Sequence, residues 1–249
     1  MKISFVIPAH NEEHYIAPCL ESIFREVQMG GHDAQIIVVN NASDDGTEDI
    51  VSSFPGVQII REERKGTGFA RMAGLLAAEG DLFATIDADT RLTEGWIETA
   101  LGEFERDGEL VGLSGPCIYF GISRSYKNVI QIYYYFVYLV YIVNHNILKK
   151  SSAIFGGNFI ARRKALNEAG GYNTDLLFWG DDADLAKRLV KRGKVKFTFD
   201  LKAHTSGRRL QAEGLIVSGV RYIINHAWMI LFNEPFHKEA VAVRLREEK

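Results

Sequence analysis

Between residues 1 and 115 short β-branched runs alternate with longer stretches of helical spacing, and this rhythm restricts the fold more than any other feature of the chain. The apolar runs 3–7, 35–39, 57–60 and 82–86 are bounded by polar or glycine turns, which predicts buried strands. In 13–27 the apolar Ile16, Leu20, Ile23, Phe24 and Val27 fall three or four apart, which predicts an amphipathic helix. Segments 45–54, 68–79 and 93–105 behave the same way, and Gly80 reads as a stop after the third. Strands alternating with helices imply an α/β fold: a Rossmann-like, mostly parallel sheet with helices on both faces. Such sheets bind ligands beyond the carboxyl ends of their strands. Polar clusters stand at those ends here: Pro8-Ala9-His10-Asn11-Glu12, Asn40-Asn41-Ala42-Ser43-Asp44-Asp45 and Asp87-Ala88-Asp89.

Residues 116–249 lose the rhythm. The sequence predicts a strand at 156–162, a short helix at 163–169 ending at Gly170-Gly171, a helix at 182–192 ending at Gly193, and a strand at 194–199. No repeat or Pro/Ser-rich linker interrupts them, so the reading is one continuous domain over 1–249 with two functional halves. At 47% hydrophobic residues over 249 positions the chain can bury a core, which excludes disorder and small disulfide scaffolds. Cys19 and Cys117 form no metal-spaced pair. A net charge of −3 gives no general attraction to nucleic acid. The first apolar run is too short for a signal peptide, so a cytoplasmic location, at most peripheral to the membrane, is the expectation.

Segment 128–148 contains no Asp, Glu, Lys or Arg and is flanked by Lys127 and Lys149-Lys150. A bilayer span needs about 20 apolar residues, yet this stretch includes Gln131, Asn144, His145 and Asn146 and is rich in tyrosine. Tyrosine favours the membrane–water interface. A single crossing would also put residues of one active site on opposite sides of the membrane. The segment therefore reads as a helix packed on the domain or lying in the interface, with a core helix or a homodimer face as the plainer alternatives.

The strongest local signal is Ile86-Asp87-Ala88-Asp89 at the end of the fourth strand. Mg2+ or Mn2+ accepts one or two carboxylates and completes its shell with substrate phosphates, so two acids one residue apart at a strand end can clamp a diphosphate. Taken alone, the pair equally fits turn aspartates or helix caps. Asn40 and Asn41 offer donors and an acceptor for the edge of a base, while Pro8–Glu13 can grip a nucleoside or merely form a turn with Asn11 as N-cap. Gly66, Gly68 and Arg71 lie in a basic, glycine-rich stretch suited to phosphate, though it is neither a P-loop nor a dinucleotide fingerprint. Asp181, Asp182 and Asp184 open a helix, where acids are favoured by the dipole alone. Asp182 can alternatively serve as a general base beside the flat face of Trp179. His204 is a loop histidine or a third ligand to a metal on Asp87 and Asp89, and Arg208 and Arg209 are solvated or meet phosphate.

In their order these motifs resemble those of the inverting glycosyltransferases of family 2, which have the GT-A (nucleotide-diphospho-sugar transferase) fold. The matching pieces are Val6-Ile7-Pro8-Ala9-His10-Asn11-Glu12-Glu13, residues 38–47, 66–74, Asp87-Ala88-Asp89, Gly156-Gly157-Asn158 and Gly180-Asp181-Asp182-Ala183-Asp184-Leu185, spread over about 3–210. The resemblance implies a nucleotide-sugar donor and a divalent cation, Mg2+ or Mn2+. It puts Pro8, Ala9, His10, Glu12, Asn40, Asn41, Arg71, Asp87 and Ala88 on the donor side, and Asp87, Asp89 and His204 on the metal. It makes Asp182, paired with Asp181, the catalytic base and gives Gly157, Asn158 and Trp179 to the acceptor. Three departures stand out. Asn40-Asn41 replaces a frequent Asp-Asp, which leaves the base open between a favoured UDP-sugar and a GDP-sugar. Met72 replaces a frequent Asn, and Asp181 a frequent Glu.

The expected reaction is a direct displacement that needs positioning and charge stabilisation more than covalent help. The acceptor is a glycan or, if the aromatic helix and the apolar segment 222–232 lean on a membrane, a lipid-linked precursor. A sugar-phosphate nucleotidyltransferase and a non-catalytic nucleotide- or carbohydrate-binding module are the alternatives. The first would carry a glycine-rich phosphate loop after strand one, and 8–13 has none.

Overall fold

The four strands expected in the first half form side by side in a computed structural model, which describes residues 1–142, 152–176, 180–232, 234 and 236. They are β1 (Ile3–Ala9), β2 (Ala34–Asn40), β3 (Val57–Arg61) and β4 (Leu82–Ile86), separated by α1 (Ile16–Gly30), α2 (Thr47–Ser52) and α3 (Thr67–Ala77). Next come β5 (Thr90–Leu92), α4 (Trp96–Arg106), β6 (Leu110–Ser114), β7 (Cys117–Phe120) and α5 (Arg124–Ile142). The remainder comprises β8 (Asn158–Arg162), α6 (Arg163–Glu168), α7 (Asp181–Leu189), β9 (Lys194–Phe197), β10 (Ala203–Ser206), α8 (Arg208–Glu213) and α9 (Leu215–Phe232).

The main sheet has the order β3-β2-β1-β4-β8-β6-β9, so strands of both halves share it. β3, β2, β1 and β4 run parallel, as do β6 and β9, while β8 is antiparallel to both of its neighbours. Alternation along each strand fills two cores. Ile3, Phe5 and Ile7 of β1 pack with Ile16, Leu20 and Ile23 of α1 and with Trp96 and Phe104 of α4. Val6 turns the other way, to Ala70 and Leu75 of α3 and Leu185 and Leu189 of α7. Each fully buried side chain of this size contributes about 1.5–3 kcal/mol.

A second sheet, in the order β5-β10-β7, flanks the main one. α5 closes a third core: Tyr134 packs edge-on to Phe155 at 5.3 Å between centroids and stacks on Phe197 at 6.3 Å, and its hydroxyl accepts a bond from the Cys117 amide. The described part of segment 128–148 is thus a helix packed on the domain. Its opposite side exposes Val129, Ile132, Tyr135 and Leu139, and residues 143–148 lie outside the described residues. No helix among the described residues is long and apolar enough to cross a membrane.

Candidate functional site

The carboxyl ends of β1, β2 and β4 meet along one rim, and the loops beyond them are braced to one another. The Asn41 amide donates to the Ala9 carbonyl at 2.7 Å, the Asn11 amide to Ser43 Oγ at 3.1 Å, and the Glu12 amide to Thr47 Oγ1 at 2.8 Å. Asn11 and Ala42 hold left-handed backbone at φ 57° and 55°. Such strain persists only where surrounding bonds over-determine it. Asn11 is therefore no helix cap: α1 starts five residues later, and the Asn11 side chain bonds Asp44.

Both asparagines expected to read a base are instead spent on the protein. Asn40 donates to Glu48 and accepts from the Ser43 amide at 3.0 Å. Asn41 donates to the carbonyls of Glu62 (2.8 Å) and Arg64 (2.7 Å) and accepts from the Gly66 amide at 2.8 Å. With its donors and its acceptor occupied, Asn41 shapes the loop 62–66 rather than offering an edge to a ligand. Pro8 and His10 lie half-buried at the end of β1, whereas Ala9 and Ala88 are packed in the core and reach the rim through backbone only.

Acids from distant stretches converge on one buried guanidinium. Arg71 of α3 is 5% exposed, and its Nη1 bonds Asp181 Oδ2 at 2.7 Å and Asp182 Oδ1 at 3.5 Å. Its Nη2 bonds Asp87 Oδ1 at 3.1 Å, and the group lies 5.9 Å from the Tyr172 ring. Burial opposes the charge on Arg71, but Asp181, Asp87 and Asp182 together hold its pKa above the usual value. Both terminal nitrogens are turned to carboxylates, so phosphate, its expected partner, is not what Arg71 faces here.

Asp181 and Asp182 reach this point because Gly180, at φ 86°, turns the chain into α7. Gly156 and Gly157 fill the gap between the acids. A Cβ at Gly156 would run into Asp182 and Arg71, and one at Gly157 into Asp87. The Gly156 amide donates to Asp182 Oδ2 at 2.9 Å. Burial, reinforced by the neighbouring charge of Asp181, pushes the Asp182 carboxyl up to about 7, and burial raises Asp181 as well.

A second guanidinium holds the other acids of the rim. Arg208, at the start of α8, pairs with Glu12 and lies 3.2 Å from Asp89 Oδ2, over the Tyr15 ring at 4.6 Å. Thr205 Oγ1 bonds Asp89 Oδ1 at 3.3 Å. Burial lifts Glu12 to about 7 and Asp89 to about 6, against the pull of Arg208 in both cases. Sequence reasoning did not find these pairings, because Arg208 is far from both partners along the chain and no spacing links them.

Two expectations are corrected. His204 does not join Asp87 and Asp89: its neighbour Thr205 faces Asp89, and strand alternation turns His204 to a pocket on the other side with Arg25 and Arg91. Asn158 is fully buried and unable to touch an acceptor. It accepts from Trp96 Nε1 at 2.9 Å and donates to the Leu201 carbonyl at 2.8 Å, tying β8 to α4 and the loop before β10. Trp179 lies outside the described residues.

Among the described residues no three metal-ligating side chains stand together as a cage. The charge of Asp87, 44% exposed, adds to the burial that raises Asp89, and Glu12 Oε2 is buried without a partner. Such a hard-oxygen set fits Mg2+ or Mn2+ when a ligand's own phosphate oxygens complete the shell.

A family model described as "Glycosyl transferase family 2" matches residues 4–170, and one described as "N-terminal domain of galactosyltransferase" matches 140–214. The chain belongs to glycosyl transferase family 2. It is 30% identical over 113 residues to the putative glycosyltransferase EpsH of Bacillus subtilis, a match covering 44% of this chain and 32% of that protein. The chain spans less than two thirds of the curated relatives it matches. Among solved structures, the mannosyltransferase PcManGT from Pyrobaculum calidifontis in complex with GDP-Man and Mn2+ superposes with a TM-score of 0.68 at 18% identity, covering 90% of this chain and 62% of that one. S. aureus TarS in complex with UDP-GlcNAc gives 0.63 at 18% identity, covering 83% and 58%. The fold is GT-A, a mixed α/β fold around a mostly parallel sheet.

Proposed function

We propose that this chain moves a sugar from a nucleoside-diphosphate sugar to an acceptor hydroxyl, with inversion at the anomeric carbon. The observation that carries this reading is the convergence on Arg71 of Asp87, from the end of β4, with Asp181 and Asp182, from the start of α7. Donor-side acids and a candidate base thereby share one cleft, bridged by Arg71 and lined by Gly156 and Gly157.

Asp182 takes the proton as the acceptor oxygen forms its bond to the anomeric carbon. The bond from that carbon to the diphosphate oxygen breaks on the opposite face, and its electron pair leaves with the nucleoside diphosphate. A carboxyl poised near neutrality can accept that proton and later release it. Arg71 and the Gly156 amide hold the base in place. Asp87 and Asp89 would hold Mg2+ or Mn2+, which when bound neutralises charge on the departing diphosphate. The solved structures named with UDP-GlcNAc and with GDP-Man and Mn2+ support a nucleotide-sugar donor, for which a UDP-sugar is our first candidate and a GDP-sugar our second. The exposed apolar residues of α5, with Val217, Val220, Ile224 and Phe232 of α9, support a lipid-linked acceptor met at a membrane surface.

The first test is Asp182→Asn. Transfer should fall by about two to four orders of magnitude while donor affinity stays within a small factor of wild type. Near-wild-type transfer with donor still bound removes Asp182 from the role of base. A thermal-shift panel of UDP, GDP, CDP and dTDP, each with and without Mn2+, then identifies the nucleotide, since a bound ligand stabilises the fold by mass action.

A further inference from the structure

We propose that the pocket between α1 and the outer face of the β5-β10-β7 sheet binds the phosphate group of a phosphate-bearing ligand, gripped by Arg25 and Arg91 with His204 beside them. This site stands independently of the sugar-transfer reading.

Strand alternation builds it. Thr90 and Thr205 are buried with their hydroxyl oxygens 3.0 Å apart, on the side of Asp89. The next residue on β5, Arg91, and the preceding one on β10, His204, are register partners and emerge on the reverse side. There they face Arg25 and Glu21 of α1 across a pocket of about 310 Å³, with Pro18 and Phe120 as apolar walls. That volume accommodates a phosphate group with a small organic moiety attached.

Two arginines without a carboxylate partner line this one concavity. Arg61, Arg64, Arg71, Arg106, Arg188, Arg208 and Arg221 each pair with a carboxylate. Arg162 and Arg163 are spent on backbone carbonyls. Arg25 and Arg91, like Arg124 and Arg192, have no carboxylate within ion-pair distance among the described residues, but Arg25 and Arg91 stand together in one pocket, which Glu21 also lines. Arg91 is instead laid over the Phe120 ring at 4.7 Å, which orients its planar group and leaves its donors unspent. Two guanidiniums lining one concavity repel each other until an anion enters, and their forked donors match phosphate oxygens.

The test is a titration of the full chain with inorganic phosphate, followed through backbone amide NMR signals at constant ionic strength. Amides of Glu21 to Arg25, Arg91, Phe120 and His204 should shift saturably, and Arg25→Ala and Arg91→Ala should each weaken the response about tenfold or more. Signals at Asp87 and Gly156 report separately on phosphate entering the acid cleft, so failure at one site does not mimic failure at the other. The proposal is overturned if the pocket amides stay still, if they follow sodium chloride equally, or if both variants titrate like wild type. Flotation with phosphatidylglycerol against phosphatidylcholine vesicles then identifies the source. Flotation that Arg25→Ala/Arg91→Ala abolishes and Ile132→Glu spares assigns a lipid headgroup, and flotation indifferent to the arginines assigns a soluble phosphate ester.

Discussion

Arg71 and Arg208 meet the same problem, acids crowded at a sheet rim, and they meet it differently. Arg71 is sealed in, with a side chain 6% exposed, and it ties three carboxylates drawn from β4 and α7. Arg208 is 18% exposed, stands at the start of the six-residue α8, and touches Glu12 and Asp89. The first is a permanent joint between the halves of the chain. The second is a counter-charge that solvent still reaches. Acids of one cleft can therefore be partly fixed in place and partly left within reach of solvent.

Removing the joint should do most damage. Arg71→Met strands Asp87, Asp181 and Asp182 around a buried gap, and a broken buried ion cluster costs about 3–5 kcal/mol. Urea unfolding measures it, and a loss below about 1 kcal/mol would make the two arginines equivalent. The pH dependence should be intermediate. Asp182 has a folded pKa of about 7 against 3.8 for the free side chain, so the folded chain holds its proton more tightly. That contribution to stability is complete below about pH 4 and disappears as pH rises through 7. Its side chain is 35% exposed, which screens the effect to roughly 1–2 kcal/mol. Asp182→Asn should flatten that part of the curve, and an unchanged slope between pH 4 and 8 would locate the buried proton elsewhere. Arg208→Ala should cost least, about 1 kcal/mol, because Glu12 and Asp89 can respond by protonating. Carboxyl NMR should then find Glu12 titrating higher than its present value of about 7, and an unmoved titration would mean that Arg208 does not control it.

The first half of the fold was legible because each strand of the parallel sheet is five to seven residues of mostly apolar chain, and β1, β2 and β3 each lead into a segment of helical period. Its acids were legible too, since Asp87 and Asp89 end a strand and Asp181 and Asp182 open a helix. What escaped was short or non-local. β5, β7 and β10 have three or four residues each, too few for a period of two to register. The chemistry of individual side chains depended on partners the sequence does not announce. Asn41 and Asn158 carry amides suited to ligands, yet backbone carbonyls from remote loops consume them. His204 missed Asp89 by one residue of strand register, enough to send a side chain to the other face.

The reversed direction of β8 makes the molecule unequally tolerant of changes in length. Ile86 pairs with Asn158 and Leu82 with Arg162, so β8 enters the sheet at the rim carrying the acids and leaves it at the far edge. An insertion just before Asn158 would push Gly156 and Gly157 into Asp87 and Asp182, whereas one just after Arg162 would leave the acids in place and part Arg163 from the carbonyls of Gly80 and Asp81. Duplications or grafted segments before β8 should accordingly disturb the acid cleft, and those after it only the seam between β8 and α6.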